Sequence, residues 1–222
     1  MRGPRRWSRS ASVAVLFVLA AAAGCASDAS SSSDANGGTT ERDQLVVVTT
    51  VAPITSIAAA VIGDNATIVG IVPEGTNSHT FAPKPSDAEA LEKADVIFVN
   101  GLQLEEPTMD LAEEVKPDDT PIVELADAVI DEDDWIYDFS FPEDEGKPNP
   151  HLWTHPGLAQ AYAEVIRDQL IELDPANGDE YAANAAAFST QVAELDGAMR
   201  AAFETIPAEN RRLLTYHDAY AY

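Results

Sequence analysis

Leu45-Val46-Val47-Val48-Thr49-Thr50 is a β-branched run with no polar alternation, the pattern of a strand covered on both faces. Helical spacing follows from Pro53 to Ile62 and stops at Gly63, a residue type that commonly ends helices. Further apolar runs recur at Ala66 to Val72, Asp95 to Asn100 and Pro121 to Leu125. Between them Ser86-Asp87-Ala88-Glu89 matches a capping box, which predicts a short helix opening at Ser86. Strand and helix signals thus alternate, and strands apolar on both faces need two layers of cover. The expected fold is α/β, with a parallel sheet between helices and ligands bound beyond the carboxyl ends of its strands.

Downstream, Asp131 to Pro150 is acidic, holds three prolines and lacks a period, so it predicts a long loop of the kind that often carries function. Pro156 to Leu173 predicts a helix. After Asp174-Pro175 a second helix carries Tyr181, Ala185, Phe188, Val192, Leu195, Met199, Phe203 and Ile206 in steps of three and four, ending at Pro207. From Gly178 to Ile206 it would be about 40 Å long at about 1.5 Å per residue, longer than a crossover in a small sheet needs, and it predicts a rigid spine. Arg212 to Tyr216 predicts a strand, with His217 and a helix start behind it. A lone strand is unstable, so these residues read as the opening of a second lobe mostly missing from this chain.

Upstream, 26–43 is rich in Ser, Asp, Gly and Thr and predicts a flexible tether. Arg2, Arg5, Arg6 and Arg9 precede the apolar run Val13 to Ala23, which is short for a bilayer span and reads as an export signal. Ala22-Ala23-Gly24-Cys25 ends it with small residues and the single cysteine, a pattern that resembles a lipobox and makes Cys25 the lipidation site. A plain secretory signal with an incidental cysteine, or a transmembrane anchor, is the competing reading. All 38 acidic residues follow Cys25, whereas four of the 13 basic ones precede it, so cleavage leaves a chain still more acidic than the whole chain's −25. Nucleic acid and anionic lipid are poor partners for that charge.

Chemistry concentrates in four histidines, His79, His151, His155 and His217. A single loop histidine is most often merely solvated; three near element ends in a parallel-sheet fold are a candidate ligand set. His151 and His155 share the i, i+4 spacing of a zinc-protease helix, but Leu152 stands where that motif needs its glutamate base. Pro150 and Pro156 also oppose helical angles at the residues preceding them. His155 therefore reads as a non-ligating residue at the start of the next helix.

Four segments resemble the cluster A-I substrate-binding lipoproteins of zinc and manganese ABC importers, receptors with a helical backbone. They are Pro73-Glu74-Gly75-Thr76-Asn77-Ser78-His79 through Asp87, Asn100-Gly101-Leu102-Gln103-Leu104-Glu105, Asn149-Pro150-His151-Leu152-Trp153, and Leu213 to Tyr222 around His217. The resemblance implies two lobes joined by a spine helix, with His79, His151 and His217 as metal ligands and a fourth, carboxylate ligand beyond Tyr222. It divides the chain into signal peptide 1–25, tether 26–43, N-terminal lobe 44–173, spine 174–207 and the start of a C-terminal lobe, 208–222. Histidine at 217 favours Zn²⁺ over Mn²⁺, as imidazole donors do in general.

The function implied is a monomeric, non-enzymatic receptor, lipid-anchored to the outer face of the cytoplasmic membrane, that delivers its ion to an importer permease. A manganese receptor and a surface adhesin are alternatives within the resemblance. A zinc hydrolase is a third, but it lacks a carboxylate base beside the histidines. The acidic stretch Asp131 to Glu145 lies where zinc receptors often carry a histidine-rich loop, yet it has no histidine.

Overall fold

The computed structural model describes residues 44–222; the export signal, Cys25 and the tether expected at 26–43 lie outside the described residues. Four parallel strands, β1 (Leu45–Thr49), β2 (Ala66–Gly70), β3 (Val96–Val99) and β4 (Ile122–Glu124), form one sheet in the order β2-β1-β3-β4. In register, Val47 pairs with Val96, Val48 with Ile97 and Thr49 with Phe98.

The two central strands are apolar throughout because each supplies two cores. Val47, Val96 and Phe98 face one layer, with α1 (Ala52–Ile62), α5 (Pro156–Leu173) and the start of α6 (Gly178–Glu204). Val48, Ile97 and Val99 face the other, where Leu91 of α2 (Pro85–Leu91) and Ala112 of α3 (Glu106–Val115) cover them. Alternation along a pleated strand sends neighbours to opposite faces, so continuous apolarity in sequence becomes burial on both sides.

Several details depart from expectation. Helix α2 opens at Pro85 rather than Ser86, and Asp87, not Glu89, reaches back to accept from the Lys84 amide at 2.7 Å. Pro85 suits the first helical position because the amide it lacks would be unpaired there. Helix α3 and the short α4 (Leu125–Val129) were not expected from the sequence. No strand forms at Arg212 to Tyr216, nor a helix behind His217. No other strand pairs with this segment among the described residues, and Leu214 is 97% exposed. The stripe on α6 buries Tyr181 and Ala185 and half-buries Phe188, but Leu195 and Phe203 are each 56% exposed. No helix among the described residues is long and apolar enough to cross a membrane.

Chain order switches direction between β1 and β3, so their carboxyl ends flank the crevice where such sheets bind ligands. Thr50 and Asn100, at these two ends, are fully buried. Beyond β3, Gly101, Leu102 and Gln103 all take positive φ, 86°, 50° and 59°, turning the chain back sharply. At Gly101 a side chain would run into Glu124 and Asp127, so the position requires glycine on both counts. The turn brings the Glu105 carboxylate under both strands, where it accepts from the Thr50 hydroxyl at 2.5 Å and the Asn100 amide at 2.6 Å.

Candidate metal site

His79 stands on a single 3₁₀ turn, Ser78–Thr80, after β2, where the Asn77 side chain accepts from the His79 amide at 3.0 Å. His151 ends the long acidic loop. Its position is set from below by Asn100, which donates to the Pro150 carbonyl at 2.9 Å while accepting from the Tyr162 hydroxyl at 2.9 Å. His217 lies on irregular backbone that docks on the same loop: Ser140 donates to the Asp218 carboxylate at 2.6 Å, and Thr154 donates to the Ala219 carbonyl at 2.9 Å. Tyr222 accepts from the Ile136 amide at 3.2 Å.

These three anchors bring three imidazoles together. His151 Nε2 is 3.1 Å from His79 Nε2 and 2.8 Å from His217 Nε2, and the three candidate ligand atoms lie within 4.8 Å of one another. Two nitrogens on one tetrahedral ion at about 2.0–2.1 Å each stand about 3.3 Å apart, so small side-chain shifts would make the cluster a coordination shell. Among the described residues it is the only group of three or more His, Cys, Asp or Glu side chains with this convergence.

His151 is 4% exposed and lies between His79, His217, Phe141 and Trp153, with ring centroids 4.6 to 5.7 Å away. Burial, reinforced by His217 and His79, pushes its pKa down to about 3, and burial and His217 lower that of His79. Cations repel one another here, so these rings are held neutral, the form that binds a metal.

His155 does not join the cluster. Its Nδ1 accepts from the amides of Gly157 and Leu158 at 3.1 and 3.3 Å, making it the N-cap of α5, as its place before Pro156 predicted. No carboxylate of the acidic loop joins the cluster among the described residues, but the loop's Phe141 ring, 5.7 Å from those of His79 and His151, walls one side.

Sequence reasoning gave no role to Phe141 or Asn149. The Asn149 side chain contacts the His151 amide and ring, Asp138 and the Asp218 carbonyl. Its signal was available in the Asn-Pro-His order, since an asparagine side chain readily bonds to backbone two residues on.

Comparison with known proteins agrees with this architecture. Residues 47–222 match the family model described as zinc-uptake complex component A, periplasmic. The manganese-binding lipoprotein MntA of Halalkalibacterium halodurans is 32% identical over 182 residues, covering 80% of this chain and 56% of that protein. The iron-binding protein YfeA of Yersinia pestis is 34% identical over 176 residues, covering 79% and 54%. The chain thus spans about half the length of these relatives. Among solved structures, a cadmium-bound periplasmic metal-binding protein from Candidatus Liberibacter asiaticus superposes with a TM-score of 0.70 at 28% identity, covering 79% of this chain and 62% of that one. The periplasmic zinc-binding protein TroA from Treponema pallidum shares the fold, with a TM-score of 0.72 at 24% identity over 80% and 61% of the two chains. With the match running through both the sheet and the histidine segments, the chain belongs to the zinc-uptake component A family, the cluster A-I metal-binding proteins of ABC importers, which are binding proteins rather than enzymes.

Proposed function

We propose that this protein captures one transition-metal ion, zinc by preference, through the Nε2 atoms of His79, His151 and His217, and hands it to an importer's permease and ATPase. The convergence of three imidazole nitrogens, with the pKa values of His79 and His151 lowered, carries the reading. Neutral imidazole suits Zn²⁺ and the later first-row ions, whereas carboxylate and water suit Mn²⁺. Manganese is the second reading, supported by MntA's name.

The same reading extends to the rest of the chain on the strength of its sequence. Cys25 anchors the protein by lipid to the outer face of the membrane, 26–43 spaces the globule from it, 44–173 forms a metal-binding lobe, and α6 is the spine from which 208–222 leads into further structure. Metal content by mass spectrometry, with zinc and manganese affinities from chelator competition, tests the reading. One ion per chain, bound more tightly as zinc, is the expected result. Tight manganese with weak zinc would reverse the metal preference, and no tight transition metal would overturn the capture role.

A further inference from the structure

We propose that Asn149 is a positioning residue that sets the tautomer of His151, holding its proton on Nδ1 so that Nε2 faces His79 and His217 as an unprotonated lone pair. The inference rests on the reading of those histidines as the ligand set. An asparagine amide has one acceptor oxygen and two donor hydrogens, so four contacts suffice to fix which end is which. The Asn149 Nδ2 end faces two acceptors, a carboxylate oxygen of Asp138 at 2.7 Å and the Asp218 carbonyl at 2.6 Å. The Oδ1 end faces the His151 backbone N–H at 3.1 Å, a donor that permits no alternative, and His151 Nδ1 at 2.8 Å. Exchanging oxygen and nitrogen would set acceptor against acceptor twice and donor against donor once. Oδ1 therefore accepts from Nδ1–H, and in a neutral imidazole Nε2 is then bare.

That leaves the Nε2 atoms of His79 and His217 disposed around a lone pair already aimed between them. His151 is the ligand that needs no proton rearrangement before a cation arrives. A partner on the second ring nitrogen fixes tautomer and ring orientation in this way, and losing it commonly costs 10–100-fold in metal affinity. The amide's other end grips Asp138 of the acidic loop and the backbone next to His217, so the residue that sets the tautomer also ties three segments of the site together.

Long-range ¹⁵N–¹H spectra of the full chain stripped of metal show which ring nitrogen bears the hydrogen, and chelator competition on the same samples gives zinc affinity. In the unmodified protein His151 should be the Nδ1–H tautomer. Asn149→Leu should mix in the Nε2–H form and weaken zinc by about 10–100-fold. Asn149→Asp keeps an acceptor at the same place while losing both donors, and should retain the Nδ1–H tautomer, which separates tautomer setting from segment docking. His151 found as Nε2–H in the unmodified protein, or unchanged as Nδ1–H in Asn149→Leu, overturns the inference. Should Asn149→Leu not fold, the other two spectra decide it. Failure of the unmodified protein to hold zinc would sink the functional reading alone, because the tautomer is read without metal.

Discussion

His217 Nε2 lies 2.8 Å from His151 Nε2 although 66 residues separate them in the chain. Between them run α5, α6 and the turn after α6, so the contact depends on the irregular 217–222 segment docking on the acidic loop. Ser140 and Asp218 form one of those docking bonds. Ser140→Ala should leave the helices intact and weaken metal affinity by about 2–10-fold, since a hydrogen bond of this kind contributes roughly 0.5–1.5 kcal/mol. Chelator competition with unchanged circular dichroism would check it.

Ligand and cap histidines should separate cleanly. His79→Ala, His151→Ala and His217→Ala each remove a candidate donor and should abolish tight binding. His155→Ala removes only the α5 N-cap and should lower stability by about 0.5–2 kcal/mol while metal content stays at the unmodified level. Metal analysis beside urea denaturation distinguishes the two effects.

Acid should destabilise the metal-free protein through His151. Its folded pKa of about 3 is below the ordinary histidine value of 6.5, so between these values the unfolded chain binds more protons than the folded one. Stability from this group is therefore complete above pH 6.5 and declines as pH falls toward 3, by at most about 1.4 kcal/mol per pH unit. The lowered His79 acts in the same direction. Glu105, raised by burial, acts oppositely: the folded state holds its proton more firmly, so its contribution falls as pH rises above 4.5 toward the folded value. Urea midpoints across this range should fall with acidity in the unmodified protein and less steeply in His151→Gln. An equal slope in both would show that His151 is not the source. For capture the same shifts mean that protons compete for His79 and His151 only below the ordinary histidine range.

Asn100 should be costly to replace. It bridges the end of β3, the Pro150 carbonyl and the Tyr162 hydroxyl in a fully buried position. Asn100→Leu leaves the carbonyl and hydroxyl without that partner and should cost roughly 2–5 kcal/mol, against about 1 kcal/mol for Tyr162→Phe. A double-mutant cycle on stability measures how far the two share one network.

Much of the sheet was legible because its signal is local. Val46 to Thr49 needs no distant information to read as a strand covered twice, and Pro156 to Leu173 has its proline start and apolar period within one segment. The opening of α2 was misplaced by one residue because two overlapping boxes compete, and only the fold shows that Asp87 rather than Glu89 reaches back. The segment from Arg212 to Tyr216 has strand composition, but pairing is a property of partners, and composition alone cannot supply them. On α6 the apolar period continues past the part that is packed, so the stripe marks a helix without marking what covers it. Phe203→Ser should accordingly change stability by no more than about 0.5 kcal/mol, whereas Tyr181→Ala should cost about 3–5 kcal/mol. Thermal melts of the two would show the contrast. At the site, the histidines were legible as residue types at family positions, whereas Asn149 and Phe141 owe their places to contacts spanning the loop.

X-ray absorption at the zinc edge of the loaded protein counts and identifies the donors, and so decides whether the three histidines hold the ion. A first shell of nitrogen and oxygen at about 2.0–2.1 Å with the outer-ring scattering of three imidazoles is expected, falling to two in His217→Ala. A shell of oxygen alone, or one unchanged by that substitution, would contradict it.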